Sequence, residues 1–239
     1  MLRKSILTLI LLAVTLASSA KSYIVCVGIS DYPGTENDLN VCDKDALTIK
    51  KIFEKSMGAE VVLLTNQTAT LANVSNKMKE LFSKAGHDDT VIFYFSGHGL
   101  GKKNSFVCYD GFLNYRTIID MMKNCGAKKK IVIADACFAG KMRNPNSGKQ
   151  DHSLTKENVM FFLSSRTNET SIEGPYKNSI FTRYLERGLR GGADTNYDKK
   201  ISAKEIFDFV HTGVIKESKG RQHPVMWGSF ESTMPIVQW

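Results

Sequence analysis

Residues 90–99 read TVIFYFSGHG, a mostly apolar run that ends in a histidine between two glycines. A second run of this kind, KIVIADACFAG at residues 130–140, passes from apolar residues to Asp135 and Cys137. Continuous apolar runs of this length are typical of strands that are buried on both faces of a parallel sheet. Ligands of such sheets bind beyond the carboxyl ends of the strands. We therefore expect His98 and Cys137 to lie together at that edge.

The flanking sequence continues this alternation of strands and helices. Three further strands are predicted at residues 23–28, 60–64 and 159–164. Apolar residues at helical spacing predict helices over residues 42–57, 71–82 and 115–122. The pattern indicates an α/β fold, with a mostly parallel central sheet flanked by helices on both faces.

The two strand ends carry the residue types of nucleophilic catalysis. A thiol attacks a carbonyl carbon as the thiolate, and a nearby imidazole can remove its proton and later protonate the leaving amine. A single Cys or His at a strand end is more often structural. Cys137 and His98 both stand in Gly- and Ala-rich turns at strand ends, which favours a catalytic Cys–His dyad.

The motifs YFSGHG and DACFAG resemble those of the caspase-like cysteine peptidases, in the metacaspase and bacterial branch. Animal caspases place Gln-Ala-Cys at the nucleophile, whereas Asp135 stands two residues before Cys137 here. Residues 27–32, 42–46, 164–166 and 179–189 resemble further segments of the family. The resemblance implies the caspase-like three-layer sandwich that clostripain and legumain share.

The resemblance also implies roles for individual residues. Cys137 is the nucleophile, His98 is the acid and base, and the backbone amides of Gly99 and Cys137 hold the oxyanion. The pocket for the residue before the scissile bond is lined by positions that match Cys42, Asp45, Ser96 and Asp135. Two carboxylates favour a Lys or Arg side chain, so the expected partner is a peptide or protein with basic residues. No cofactor is required.

Two alternatives stay open on the same fold. One is an enzyme with legumain or clostripain specificity, which cleaves after Asn or after Arg alone. The other is a catalytically silent binding or regulatory module. The presence of both Cys137 and His98 favours the enzyme.

The first twenty residues resemble a secretory signal peptide. Arg3 and Lys4 precede an apolar run, and small residues at positions 17–20 offer a cleavage site. We expect a signal peptide at residues 1–20 and a peptidase domain at residues 21–239. The mature protein would be periplasmic or extracellular, without a membrane anchor.

The charge of the chain is +8, and removal of Arg3 and Lys4 lowers it to +6. The basic residues are scattered and are not interleaved with aromatic residues, so no nucleic-acid partner is expected. The sequence contains five cysteines, and an odd number leaves at least one thiol unpaired within a single chain. Cys26 and Cys108 stand in apolar runs and are predicted to be buried thiols. The oligomeric state is left open.

Residues 194–205, DTNYDKKISAKE, resemble an EF-hand calcium loop. Lys199 stands at the sixth position, where such a loop needs glycine for its sharp turn. The favoured interpretation is a calcium-free turn that caps the next helix. Ca²⁺ binding is the alternative, with the ligands Asp194, Asn196, Asp198, Lys200, Ser202 and Glu205.

A peptidase with a pocket for basic residues could also cut itself. Lys141, Arg143, Lys149 and Lys156 follow the nucleophile strand, in a segment rich in turn-forming residues. Pro145 disfavours a cut after Asn144, and Lys149 is the expected autocleavage site. Processing in this region is also what the family resemblance implies.

Overall fold

The computed structural model describes residues 20–137, 139, 142, 159–174 and 176–239. The strands in chain order are β1 Ser22–Gly28, β2 Glu60–Thr65, β3 Thr90–Gly97, β4 Gly99–Leu100, β5 Ser105–Val107, β6 Phe112–Asn114, β7 Lys129–Ala136, β8 Val159–Leu163, β9 Lys200–Ser202, β10 Val225–Gly228 and β11 Pro235–Gln238. The α-helices are α1 Cys42–Met57, α2 Leu71–Phe82, α3 Tyr115–Lys123, α4 Ile180–Arg187 and α5 Ala203–Glu217. A π-helical turn, Gly188–Gly192, follows α4 directly.

Six strands form the central sheet in the order β10-β8-β7-β3-β1-β2. The pairs among β8, β7, β3, β1 and β2 are parallel, and β10 lies antiparallel to β8 at one edge. The strand β3 lies between β1 and β7, and all of its residues are buried. The apolar run at residues 90–95 is therefore explained by a central position in the sheet.

The side chains of the sheet alternate between two hydrophobic layers. On β3, Phe93 and Phe95 face the layer that contains α2 and α3, which we call the α2/α3 face. Ile92 and Tyr94 face the layer that contains α1, α4 and α5, which we call the α1/α4 face. The protein is thus a three-layer α/β sandwich, as the sequence predicts.

Local sequence sets the helix ends. The helix α1 ends at Gly58, whose φ of 57° lies in the left-handed region that glycine adopts without a steric penalty. Ser202 caps α5 by accepting a hydrogen bond from the backbone N–H of Glu205, and the Glu205 carboxylate binds the backbone of Ser202 in return. This reciprocal pair is a capping box, and it fixes where the helix begins.

Two small sheets complete the fold: β4-β5-β6, which follows His98 directly, and β9-β11. The five cysteines all lie in the described part of the chain and are all free thiols. Cys26 and Cys108 are buried, as predicted, and so are Cys42 and Cys125. Within the described ranges, no helix combines the length and the apolar character that a membrane span requires.

Candidate active site

The pairing of β3 with β7 brings the two sequence motifs together. Ser96 pairs with Asp135 and Gly97 pairs with Ala136, so His98 and Cys137 are the next residues along two adjacent strands. The backbones remain in contact beyond the strands. A Cβ atom added to Gly99 would lie only 2.1 Å from the carbonyl oxygen of Cys137. Glycine is therefore a steric requirement at position 99.

His98 is held from two directions. Its backbone N–H donates a hydrogen bond to the hydroxyl of Tyr32 over 3.0 Å, and that hydroxyl donates to the carbonyl oxygen of Val107. The ring centroids of Tyr32 and His98 are 4.9 Å apart. The imidazole Nε2 lies 2.7 Å from the carbonyl oxygen of Asn37. A carbonyl only accepts hydrogen bonds, so Nε2 carries a proton, and in the neutral ring Nδ1 is the basic nitrogen.

Cys137 is partly exposed at the end of β7. Burial raises the pKa of its thiol, a hydrogen bond with the Ser171 backbone opposes this, and the charge of Asp135 raises the pKa further. The thiol of Cys137 is therefore protonated at neutral pH. Formation of the thiolate requires a base, and the imidazole on the neighbouring strand is suited to that role.

Asp135 is buried, and its side chain lies on the α1/α4 face of the sheet. The hydroxyls of Ser171 and Ser179 donate hydrogen bonds to its carboxylate, and Thr182 donates a third over 2.9 Å. Burial raises the pKa of Asp135 in spite of these hydroxyl donors. Among the described residues, these hydrogen-bond partners are neutral hydroxyls, so none of them offsets a negative charge on Asp135.

Asp45 lies beside Asp135 and is fully buried. Its carboxylate accepts hydrogen bonds from Ser96 Oγ (3.0 Å), Asn178 Nδ2 (2.8 Å) and the backbone N–H of Ser179 (3.1 Å). Burial raises the pKa of Asp45, and the charge of Asp135 raises it further. Ser179 contacts both carboxylates and holds them close together.

Cys42 completes this group. Its thiol is buried, and burial followed by the charge of Asp45 raises its pKa, while a hydrogen bond with Ser96 lowers it. The structure thus brings Cys42, Asp45, Ser96 and Asp135 into one polar cluster, which we call the carboxylate pocket. Asp135 in this pocket stands two residues before Cys137, which directly follows β7.

The sequence did not reveal the role of Gln222. This residue is fully buried, and its side chain binds the segment at residues 164–172 at three points. Its amide oxygen accepts from the backbone N–H of Ile172, and its Nε2 donates to the carbonyl of Ser164 and to the hydroxyl of Ser171. Ser171 in turn contacts Asp135 and Cys137. No sequence motif marks Gln222, because its partners lie 50 or more positions away.

The acidic loop at residues 194–205 binds mainly its own backbone. Asp194 accepts from the amides of Asp198 and Lys199, and the Glu205 carboxylate accepts from Thr195 and Ser202. Asn196 and Asp198 accept from the amides of Asp198 and Lys200. Among the described residues, no group of three His, Cys, Asp or Glu side chains is placed to hold a metal ion. The arrangement fits a helix cap, and calcium binding stays a prediction.

Several expectations fall outside the described residues. These are most of the signal segment, at residues 1–19, and the autocleavage segment with Lys149. The expected roles of these segments also stay predictions.

Comparison with known proteins agrees with the fold and the motifs. The family model of the caspase domain, a peptidase family, matches residues 21–234, so the chain belongs to the caspase-domain family. Metacaspase-9 of Arabidopsis thaliana is 23% identical over 237 residues, which cover 82% of this chain and 71% of that protein. Metacaspase-1 of Cryptococcus neoformans is 31% identical over 90 residues, which cover 34% of this chain and 20% of that protein.

A solved structure supports the fold alone. Protein GSU0716 from Geobacter sulfurreducens superimposes with a TM-score of 0.69 at 16% sequence identity. The match covers 91% of this chain and 99% of that protein.

The family and its metacaspase relatives indicate a cysteine peptidase, as the sequence motifs predict.

Proposed function

We propose that the protein is an active endopeptidase that hydrolyses peptide bonds after Lys or Arg, with Cys137 as nucleophile and His98 as acid and base. The observation that carries this proposal is the carboxylate pocket. Asp45 and Asp135 are two buried acids beside the nucleophile, and their hydrogen-bond partners named above are all neutral. A substrate cation in the pocket would offset the cost of ionising two carboxyls in a buried site.

The geometry supports a conventional sequence of steps. A basic side chain enters the carboxylate pocket and places the scissile carbonyl at Cys137. His98 Nδ1 takes the thiol proton as the sulfur attacks the carbonyl carbon. The negative oxygen of the tetrahedral intermediate is bound by the amides of Gly99 and Cys137. His98 then protonates the amine as the C–N bond breaks, and water hydrolyses the remaining thioester.

The contact between His98 and Asn37 serves both halves of this cycle. The neutral ring needs a basic Nδ1 to accept the thiol proton, and the Asn37 carbonyl selects that tautomer by holding the proton on Nε2. Once the ring is doubly protonated, the same carbonyl stabilises its positive charge. The Asn37 carbonyl therefore orients the imidazole in both protonation states of the cycle.

We further propose export of the mature chain after cleavage near residue 20. This rests on the basic start, the apolar run and the small residues of the first segment. Expression in a bacterial host, followed by fractionation and N-terminal sequencing, tests it. A new N-terminus near Lys21 in the exported fraction is expected. An intact N-terminus retained with the cells would contradict it.

An active-site probe tests the peptidase function most directly. A Lys or Arg peptide with a thiol-reactive acyloxymethyl ketone should label the wild type at Cys137. It should leave Cys137→Ala unlabelled and should label His98→Ala far more slowly. A parallel panel with Lys, Arg, Asn, Asp or Leu before the cut separates the alternatives. Preference for Asn would indicate legumain specificity, and preference for Arg alone would indicate clostripain specificity. A folded protein that is neither labelled nor able to hydrolyse any of these peptides would indicate the catalytically silent binding or regulatory module.

A further inference from the structure

A second cavity borders His98 and is separate from the carboxylate pocket. It has a volume of about 530 Å³ and is lined by residues that follow β1 and by the β4–β6 sheet. His98 is part of its wall, whereas Cys42, Asp45, Ser96 and Asp135 are not. We call this space the hairpin cavity.

The two sites lie on opposite faces of the central sheet. Tyr32 and Cys108, which line the hairpin cavity, belong to the hydrophobic layer of the α2/α3 face. Asp45 instead stands on α1 and binds Ser179, the N-cap of α4, and Asp135 binds Thr182 of α4, so both lie on the α1/α4 face. The end of β3, where His98 stands, is therefore the boundary between the carboxylate pocket and the hairpin cavity.

The hairpin cavity presents apolar surface to solvent. Leu100 is 36% exposed and Phe112 is 45% exposed, and both line it. Only six large apolar or aromatic side chains in the described ranges are exposed to this degree, so two of the six share one small cavity. The Lys103 ammonium lies 3.7 Å from the centre of the Phe112 ring and holds one face of it. Two exposed apolar side chains in one cavity offer apolar contact surface to a ligand that enters it.

The lining also contains one carboxylate, Asp110. It accepts a hydrogen bond of 2.7 Å from the backbone N–H of Leu71, the first residue of α2. This bond engages Oδ1 of Asp110 at the start of α2. The apolar part of the lining comes from Leu100, Val107 and Phe112.

The chemistry of the dyad identifies what faces this cavity. His98 must approach the leaving nitrogen in order to protonate it, so the residues after the scissile bond depart on the side of His98. The residue before the bond is held on the other face, in the carboxylate pocket. A leaving segment that extends past the imidazole enters the hairpin cavity, whose lining includes Leu100 and Phe112.

We propose that the hairpin cavity binds the substrate segment after the scissile bond and selects an aliphatic or aromatic side chain within its first two residues. This deepens the proposed peptidase function and depends on it. The substrate class is then a peptide with a basic residue followed closely by an apolar one.

A set of quenched fluorescent peptides tests the proposal. All keep the same basic residue before the cut, and the first two positions after it carry Gly-Gly, Leu-Gly, Phe-Gly, Gly-Leu, Gly-Phe or Asp-Gly. We expect kcat/KM for the best Leu or Phe peptide to exceed that for Gly-Gly by about tenfold, the scale of a modest apolar contact. Each protein is referenced to its own rate on an arylamide substrate, which has no residue after the cut.

Variants then assign the preference to the cavity. Leu100→Ser and Phe112→Ser should each reduce the ratio of kcat/KM for the best Leu or Phe peptide to kcat/KM for the Gly-Gly peptide. The double variant should bring this ratio close to one. Leu100→Lys should improve the Asp-Gly peptide relative to the others. Leu47→Ser is the matched control, because Leu47 on α1 is also 36% exposed and does not line the cavity. It should keep the wild-type ratio.

Either of two kinetic results would overturn the proposal. One is equal kcat/KM for Gly and apolar peptides in the wild type, and the other is a preference that survives in the double variant. Binding of the same peptides to Cys137→Ala, followed by fluorescence anisotropy, gives a readout without turnover. Equal Kd values for Phe and Gly peptides there reject the cavity even if the wild type is inactive. Tighter binding of Phe by an inactive wild type would support the cavity and reject only the peptidase function.

Discussion

The Nε2 of His98 lies 2.7 Å from the carbonyl oxygen of Asn37, a backbone atom 61 positions earlier in the chain. This contact assigns the proton of the neutral imidazole to Nε2 and leaves Nδ1 to act as the base. Burial raises the pKa of the Cys137 thiol, so this site starts from a protonated thiol at neutral pH.

The protonation state of Cys137 predicts the pH dependence of alkylation. Since burial raises the pKa of the thiol, iodoacetamide should react slowly at neutral pH and faster as the pH rises past about 8.5, the value of a free thiol. Mass spectrometry of the Cys137 peptide gives the rate, and Cys137→Ala gives the background. A fast, pH-independent reaction down to about pH 5 would instead show a thiolate–imidazolium pair.

Replacement of Asp135 should change both specificity and the pH dependence of stability. Asp135→Asn keeps the shape of the pocket, and the hydroxyls of Ser171 and Thr182 can reorient around an amide. We expect cleavage after Lys and Arg to fall by about tenfold to 100-fold, because one ionic partner of the substrate is lost. Measured kcat/KM for Lys and Arg peptides would test this, and unchanged preference would contradict the pocket assignment.

The same variant tests the raised pKa. The folded protein holds the Asp135 proton more tightly than the unfolded chain does, so this carboxyl favours folding at low pH. That contribution is lost as the pH rises from about 3.9, the unfolded value, through the raised folded pKa. The melting temperature of Asp135→Asn relative to the wild type should therefore increase as the pH rises above about 3.9. A constant difference would contradict the raised pKa.

Gln222 should act on catalysis through the segment that it holds. Gln222→Leu leaves the carbonyl of Ser164 and the amide of Ile172 without their partner, at about 1–3 kcal/mol for each buried group. Because Ser171 contacts Asp135 and Cys137, we expect kcat/KM to fall even at temperatures where the variant is fully folded. Thermal denaturation and kinetics at low temperature separate the two effects. A lower melting temperature with full activity would give Gln222 a structural role only.

The loop before α5 should behave as a helix cap. Ser202→Ala is expected to lower the free energy of unfolding by about 1 kcal/mol, as for other capping residues. Burial alone would raise the pKa of Glu205, but hydrogen bonds from Ser202 and Thr195 outweigh it and lower the pKa. The contribution of Glu205 is thus present above about pH 4.3, the value of a free Glu, and is lost as the pH falls through the lowered pKa.

Calcium distinguishes the cap from an EF-hand. If the loop only caps α5, millimolar calcium should leave the melting temperature unchanged in both the wild type and Glu205→Gln. A calcium-dependent rise in the wild type that Glu205→Gln removes would establish the ion site instead.

Self-processing predicts two fragments that stay together. A cut after Lys149 falls between β7 and β8, and these strands are paired from Lys130–Val159 to Ala134–Leu163. The pieces should therefore co-elute under native conditions and separate in denaturant. Intact mass should show them in the wild type and not in Cys137→Ala or Lys149→Gln. Identical fragments in Cys137→Ala would assign the cut to a host protease.

The strands, helices and motif residues were accessible from the sequence because their signals are local. Apolar runs gave the positions of β3 and β7, and helical periodicity gave α1 and α2 with their observed bounds. The antiparallel edge strand β10 and the β4–β6 sheet were not predicted, since strands of two to four residues carry little periodicity.

The surroundings of the predicted site residues were not accessible in this way. Asp45 and Asp135 came from a family motif, but their partners Asn178, Ser179 and Thr182 are common polar residues in the first turn of α4 or just before it. Their role arises only when α1, β7 and α4 meet on one face of the sheet. The same holds for Asn37, which acts through a backbone atom that every residue type possesses.

The bonds from Asn178 and Ser179 to Asp45 also determine when the carboxylate pocket can form. They join positions 133 and 134 residues apart, and β10 adds the edge strand only at residue 225. Contacts so distant in sequence form after local structure. Here the C-terminal partners, Asn178 and Ser179, also leave the ribosome long after Asp45 does. A nascent chain that already carries Cys137 and His98 still lacks one wall of its carboxylate pocket. For the peptidase proposed above, recognition of a basic side chain would therefore begin only after residue 179 has left the ribosome and packed against α1.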